Sequence, residues 1–265
     1  MLYVAVAVRA FRRYSTYTVA TLAGAFTNSV FGIVISFVYL AVWAQSPHAG
    51  GYDAKDAVTY CWLAQAMIAT VSIWAGGATD DVAARIRTGD IAVDLYRPAS
   101  FLGWWLATDL GRAAYHLASR GVAPTIVGAL LFHIRFPSNP LVWLLFLLSV
   151  TLGVMVSFGI RMLVACSAFW LLDHTGLLNV STVCAMFFSG LAVPLVLFPG
   201  WTRDVVLHLP WAAYVQVPID VWLGKSTGAE LVAALGFQAA WVVVLLGACA
   251  VVLRLADRKV VLQGG

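Results

Sequence analysis

Charge is scarce in this sequence. Asp, Glu, Lys and Arg make up 11% of its 265 residues, where a soluble domain carries about 25%. A chain this poor in charge cannot cover its own surface with water-compatible groups, so lipid is the expected solvent. Cysteine is also sparse: Cys61, Cys166, Cys184 and Cys249 all fall inside apolar runs, without metal-ligand spacing. They read as small buried hydrophobes, not as a disulfide framework or a metal site. The signatures of chemistry are missing as well. There is no zinc-protease His pair, no Gly-x-Ser-x-Gly elbow, no Cys-x-x-Cys and no phosphate-binding loop. Gly224-Lys225-Ser226-Thr227 looks like the end of such a loop, but Ile219 stands where the motif needs its first Gly. If this chain moves anything against a gradient, the energy comes from elsewhere.

What is present is apolar. Hydrophobic residues make up 62% of the chain and mean hydropathy is +0.90. Backbone groups find no hydrogen bonds in lipid, so spanning segments are helices or a closed barrel. Continuous rather than alternating apolar runs exclude the barrel. The expected fold is therefore an all-α polytopic membrane protein in one domain, residues 1–265. Six spans are expected, at 19–43, 57–77, 113–132, 141–163, 177–198 and 232–254. The third extends as a helix from near Leu102 and the fourth to near Leu172. The first follows Arg9, Arg12 and Arg13 as a signal sequence would, but it is long enough to span and is read as an uncleaved anchor.

Orientation follows from the Lys/Arg distribution in the flanks. With the N-terminus inside, the inner side holds Arg9, Arg12, Arg13, Arg85, Arg87, Arg97, Arg112, Arg254, Arg258 and Lys259. The outer side holds only Lys55, Arg135, Arg203 and Lys225. Both termini are therefore expected to be cytoplasmic. In this orientation the sequon Asn179-Val180-Ser181 lies at the inner end of the fifth span, out of reach of glycosylation.

Several segments could carry function. Residues 1–18 interleave Arg9, Arg12 and Arg13 with Tyr3, Phe11, Tyr14 and Tyr17, which suits a helix lying at the cytoplasmic interface. It reads either as a topological anchor or as an elbow that moves with a cytoplasmic motor. Residues 79–100 form the largest inner segment. Asp80 and Asp81 are expected to cap a short helix through Arg87, with Gly89 as its stop and a second short element over Asp90–Leu95 before Pro98. Its charges and its spaced Val82, Ile86, Ile91 and Leu95 offer a surface for docking another protein, or else a solvated connector. In the third helix Asp109, Arg112, His116 and Arg120 recur at i, i+3, i+7 and i+11 and share a face. Depth counting at 1.5 Å per residue places Arg161 about 30 Å and Asp109 about 34 Å from the outer ends of their helices. Asp109 is therefore expected to pair with Arg161, Arg112 or both. That face serves either as an interhelical clamp or as a polar path lining. The outer segment 199–231 is too apolar for a free loop and too broken for a span, with Pro199, Trp201, Pro210, Trp211, Pro218 and Trp222. Short helices that dip into or lie on the outer membrane surface fit it.

The order of these features resembles a known family. The residues that carry it are Ile86-Arg87-Thr88-Gly89-Asp90-Ile91 through Leu95-Tyr96-Arg97-Pro98, then Phe169-Trp170 and Ser189-Gly190 with Pro194-Leu195. They continue through Leu197-Phe198-Pro199-Gly200-Trp201, Leu209-Pro210-Trp211 and Pro218 to the terminal Gly264-Gly265. Together with the basic N-terminus and six spans, the chain looks like a permease subunit of a type-2 ABC exporter, in particular the bacterial branch of about this length. The resemblance covers nearly the whole chain. It implies a bacterial plasma-membrane location, a partner ATPase that holds the ATP and Mg, and a second permease, often a different chain. No cofactor, metal, catalytic residue or nucleic acid is expected in this chain. It implies further that Arg85, Ile86, Arg87, Gly89, Asp90 and Asp94 belong to a coupling helix seated on the ATPase. Pro194, Pro199, Trp201, Pro210 and Pro218 would belong to an outer gate of re-entrant helices. Substrates of the wider family are amphipathic drugs, lipids, glycoconjugates or polymers, and nothing in the sequence selects among them.

Three other classes compete. A secondary transporter predicts inverted repeats and helices broken at midplane, and neither is visible. A membrane enzyme predicts converging catalytic groups, for which only the Asp109–His116 stripe is a candidate. A purely structural subunit predicts that the polar face affects assembly alone.

Overall fold

The structure, a computed structural model, describes residues 1–74, 77–171 and 173–263, with side chains to Ala256. The terminal Gly264-Gly265 and the side chains of Arg258 and Lys259 lie outside the described residues. Among the described residues, twelve α-helices account for most of the structure. In chain order they are α1 (Leu2–Ser15), α2 (Thr18–Gln45), α3 (Ala54–Thr70), α4 (Ala78–Thr88), α5 (Ile91–Leu95), α6 (Phe101–His116), α7 (Val122–Phe132), α8 (Pro140–Cys166), α9 (Thr175–Phe188), α10 (Gly200–His208), α11 (Gln216–Leu223) and α12 (Gly228–Gln263). No strand occurs among the described residues.

Local chemistry sets the helix starts. Asp53 caps α3 by accepting from the Asp56 amide at 2.7 Å, and the Asp56 carboxylate accepts back from the Asp53 amide. This is a capping box built from two aspartates. Asn139 accepts from the Leu141 amide and Pro140 takes the first position of α8, where its missing N–H costs nothing. Gly89 ends α4 in the left-handed conformation, as its position in the sequence predicts. The start of α4 differs from expectation. Gly77 holds the N-cap position, and Asp80 and Asp81 lie within the first turn, where they complement the dipole without capping.

Among the described residues three helices are long and apolar enough to cross a membrane: Thr18–Gln45, Pro140–Phe169 and Gly228–Ala256. The other expected crossings are shorter or interrupted. The helix expected to reach residue 77 stops at Thr70 and gives way to a turn in which Ser72 has φ +55°. The third crossing is one helical run from Phe101 to Phe132, broken by a π turn at Leu117–Gly121. The fifth differs most. Its helix ends at Phe188 rather than 198, because Gly190 turns the backbone at φ +91° and Pro194 cannot continue a helix. Residues 195–197 form a 3₁₀ turn, so the irregular outer segment begins at Ser189 and not at Pro199.

α3 and α8 occupy the middle of the bundle. Most of α3 is buried, including Tyr60, Trp62 and Met67, and so is most of α8 beyond Ser149. The largest apolar cluster joins these two helices to Tyr214 and Ile219 from the outer segment. By contrast α2 and α12 expose rows of large apolar side chains, Phe26, Phe31, Val34 and Phe37 on one and Val243, Val244 and Val251 on the other. α1 lies across α6 so closely that a Cβ on Gly111 would overlap the carbonyl of Ala7. This fold puts α1, α4, α5 and the start of α6 at one end. The 44–56 and 133–140 connections and α10–α11 lie at the other.

Candidate functional site

α4 and α5 form a compact elbow. Its aliphatic residues point inward: Val82 and Ile91 are buried, with Ile86 and Leu95 partly so, against Trp105, Phe158 and Met162. They anchor the elbow to α6 and α8 and are not the docking surface that their spacing suggested. Arg85 and Asp94 also turn inward. The buried Asp94 carboxylate accepts from Arg85 at 3.1 Å and from Arg97 at 2.9 Å. Arg97 in turn stacks over Trp104, with 4.1 Å from Cζ to the ring centre. What remains outside is a tip of Arg87, Thr88, Gly89 and Asp90, all exposed, with Thr88 donating to Asp90 at 2.8 Å. Beside the tip stand Val93 and Tyr96, 66% and 86% exposed. Sequence reading missed Val93 as a surface group. An apolar residue between the buried Ile91 and Leu95 is indistinguishable from its neighbours until the helix phase is known.

The root of this elbow is a buried ion-pair cluster. Asp109, wholly buried, accepts from Nε of Arg112 at 2.8 Å and from Nη2 of Arg161 at 2.7 Å. Both of the partners expected from sequence depth are therefore in place. Arg112 also donates to the carbonyls of Ala69 and Thr70 at 2.6 and 2.9 Å, which satisfies orphan acceptors at the end of α3. Arg161 donates to Ser157 Oγ at 3.1 Å and to Thr79 Oγ1 at 3.3 Å, and Ser157 donates to the Val71 carbonyl. One carboxylate thus binds the end of α3, the start of α4, α6 and α8 at a single point. His116 and Arg120, the other members of the stripe, stay out of it. His116 lies edge-on to Tyr14 and Tyr115, each 5.5 Å away, and Arg120 rides on the π turn toward α2.

A second polar cluster holds the opposite end. Gln216 on α11 is its hub. Its Oε1 accepts from the Leu195 amide at 2.8 Å, and its Nε2 donates to Tyr52 Oη at 2.7 Å and Asp220 Oδ2 at 2.8 Å. Its own amide donates to the Ser189 carbonyl at 3.0 Å. Tyr60 donates to the Gly190 carbonyl at 2.8 Å and Tyr52 donates to Asp220. Burial pushes the Asp220 carboxyl up to about 6, although the hydrogen bonds from Gln216 and Tyr52 pull it down. Beside this hub the buried Asp56 pairs with Lys225 at 2.7 Å and Arg135 at 3.2 Å. The expected gate residues frame the cluster. Pro194 precedes the 3₁₀ turn and Pro199 precedes α10. Pro210 opens the next turn, Pro218 lies buried in α11, and Trp201 is exposed. None of the hub residues was singled out from sequence. The available signal was Gln216 and Asp220, two polar groups one helical turn apart in an apolar segment.

Two cavities lie near the N-terminal end. A groove of about 870 Å³ between α1 and the elbow is lined by Arg9, Arg12, Arg13, Arg85 and Arg97. Another, of about 720 Å³, opens between α2, α3 and α6 and takes in His116 and Arg120. Among the described residues no group of His, Cys, Asp and Glu is arranged to hold a metal ion.

Comparison with functionally characterised proteins finds no match. A family model does match, over residues 8–264, and its description is ABC-2 family transporter protein. Membrane components of that family typically work with an ATPase partner. The match takes in the second half of α1, the elbow, both polar clusters and every long apolar helix, and the chain accordingly belongs to the ABC-2 family of transporter proteins, as a membrane-embedded permease component of an ABC transporter.

Proposed function

We propose that this chain is the membrane-spanning permease subunit of an ATP-driven exporter in the bacterial plasma membrane. It couples to a separate cytoplasmic ATPase and pairs with a second permease. Six crossings serve the reading: α2, α3, the α6–α7 run, α8, α9 with the segment after it, and α12, with both termini cytoplasmic. ATP, Mg and hydrolysis belong to the partner, and this chain contributes no catalytic step. The observation that carries the proposal is the elbow itself. An exposed four-residue tip, Arg87–Asp90, stands on a frame in which Arg85 and Arg97 are both paired with the buried Asp94, and that frame is fastened to α3, α6 and α8 through Asp109. A partner that pushes on the tip therefore moves the roots of three long helices together. Closure of the ATPase would shift the tip, α6 and α8 would carry the shift along the bundle, and the segment held by Gln216 would open.

Affinity purification from native membranes in mild detergent, with mass spectrometry of the co-purifying chains, tests this. The expected result is a P-loop ATPase that is retained by wild type and lost with Arg87→Glu plus Asp90→Lys, or with Gly89→Pro, while membrane insertion is unchanged. A second permease in the same sample settles the pairing. A chain that purifies alone, or tip variants that keep the ATPase, would overturn the assignment.

A further inference from the structure

Arg120 lines a cavity inside the bundle and makes no ion pair among the described residues. Arg120 sits on the π turn, about 12 Å along the helix from Arg112 at 1.5 Å per residue. Its Nε is buried and has no hydrogen-bond partner among the described residues, and the same holds for Nδ1 of His116. Both groups line the 720 Å³ cavity, together with Gly24, Asn28, Trp74 and Arg112. Asp109 does not neutralise Arg120, because Arg112 and Arg161 already share that carboxylate. The ion-pair cluster thus holds one negative and two positive charges, and Arg120 adds a third positive charge beside it.

The surroundings make room for the guanidinium rather than cover it. A Cβ on Gly24 would overlap it, so only glycine leaves α2 open at this point. The π turn that carries Arg120 widens the helix locally, a feature that recurs at functional sites. Asn28 donates its amide to the Gln65 carbonyl at 3.0 Å and brings no negative charge to the cavity. An unpaired cation at membrane depth is costly and calls for an anion. The rest of the wall suits an apolar body, with Trp74 57% exposed at the cavity. The volume lies within the range of about 300–1,000 Å³ usual for small-molecule sites.

We propose that this cavity binds the anionic head of an amphipathic molecule, a phosphate, sulfate or carboxylate carried on an apolar body, with Arg120 as its counter-ion and His116 as a second polar contact. That the bound molecule is the transporter's cargo rests on the function proposed above; the binding itself does not.

The test uses the purified full-length protein in a neutral maltoside detergent, titrated calorimetrically with dodecyl phosphate, with inorganic phosphate and with dodecyltrimethylammonium. Dodecyl phosphate is expected to saturate one site, and the other two are expected to bind weakly. Arg120→Gln should lower its affinity about tenfold or more, the loss that follows removal of a charge-assisted hydrogen bond. Gly24→Ala should do the same by displacing the guanidinium while leaving its charge, so the proposal stays testable if one variant fails to fold. Unchanged affinity in folded Arg120→Gln and Gly24→Ala proteins would overturn it. Equal binding of inorganic phosphate would overturn the amphipathic part. A loss seen only with Arg9→Gln and Arg12→Gln would move the anion to the groove beside α1 and also overturn the proposal. Dodecyl phosphate binding that depends on Arg120, in a protein that recruits no ATPase, would sink the transport reading and leave the site standing.

Discussion

The two ends of the bundle are fastened by different chemistry. At the N-terminal end a buried carboxylate sits between two guanidinium groups and ties long helices together. At the opposite end a neutral amide, Gln216, gathers short helices, a 3₁₀ turn and the backbone after α9. A buried ion pair loses several kcal/mol when one partner is removed, because the other charge is left uncompensated. A neutral hydrogen bond is worth about 1 kcal/mol net. The helices joined at Asp109 are thus held as a unit, while the segment gathered by Gln216 is held in smaller steps, with the ion pairs of Asp56 to Lys225 and Arg135 beside it.

The largest expected effect breaks the charged end. Asp109→Ala leaves Arg112 and Arg161 without their carboxylate and should cost about 3–5 kcal/mol. It should be visible as a marked drop in the thermal midpoint in detergent, with the elbow exposed to protease. If the variant melts like wild type, the rigid-end half of the comparison fails. Gln216→Leu should cost about 1–3 kcal/mol by orphaning the groups it serves. Hydrogen exchange should rise at Leu195 and across 189–198 and stay unchanged at the ends of α3 and α8. Exchange that rises at both ends would mean that the two clusters are one cooperative unit.

The smallest effect is a pH dependence confined to the opposite end. Asp220 has its folded pKa raised to about 6, above the ordinary value of about 3.9. Between those values the folded state holds a proton that the unfolded state has released. The group therefore favours folding at lower pH, and that contribution is lost as pH rises through 6. Protection factors over 189–223, with the base-catalysed intrinsic rate divided out, should rise between pH 7 and pH 5 in wild type, and Asp220→Asn should flatten the change. A pH dependence that persists in Asp220→Asn would assign it to another group.

Much of this architecture is legible in the sequence because lipid enforces simple rules. The long apolar helices, the elbow with its Gly89 stop and the Asp109 pairings all follow from helical rise, turn chemistry and the penalty on lone charges. What sequence did not yield depends on how segments meet. Ile91 and Val93 look alike in the chain, yet one is buried against α8 and the other faces out. Arg85 and Arg87 look equivalent, yet only Arg85 finds Asp94. The early end of α9 was obscured by the apolar residues that follow Gly190, whose hydropathy is that of a span but whose backbone is held by Gln216 and Tyr60. The π turn leaves no mark in residue type at all.

The division of labour in the elbow has a consequence for diversification. The residues that build it are inside, and its tip of Arg87, Thr88, Gly89 and Asp90 is exposed, with side-chain hydrogen bonds that stay within the elbow. On the docking role proposed for this tip, recognition is separable from architecture. Exchanging these few positions between relatives should redirect a permease to a different motor without rebuilding the lever beneath, so that allegiance can drift in a lineage while the machine it serves stays the same.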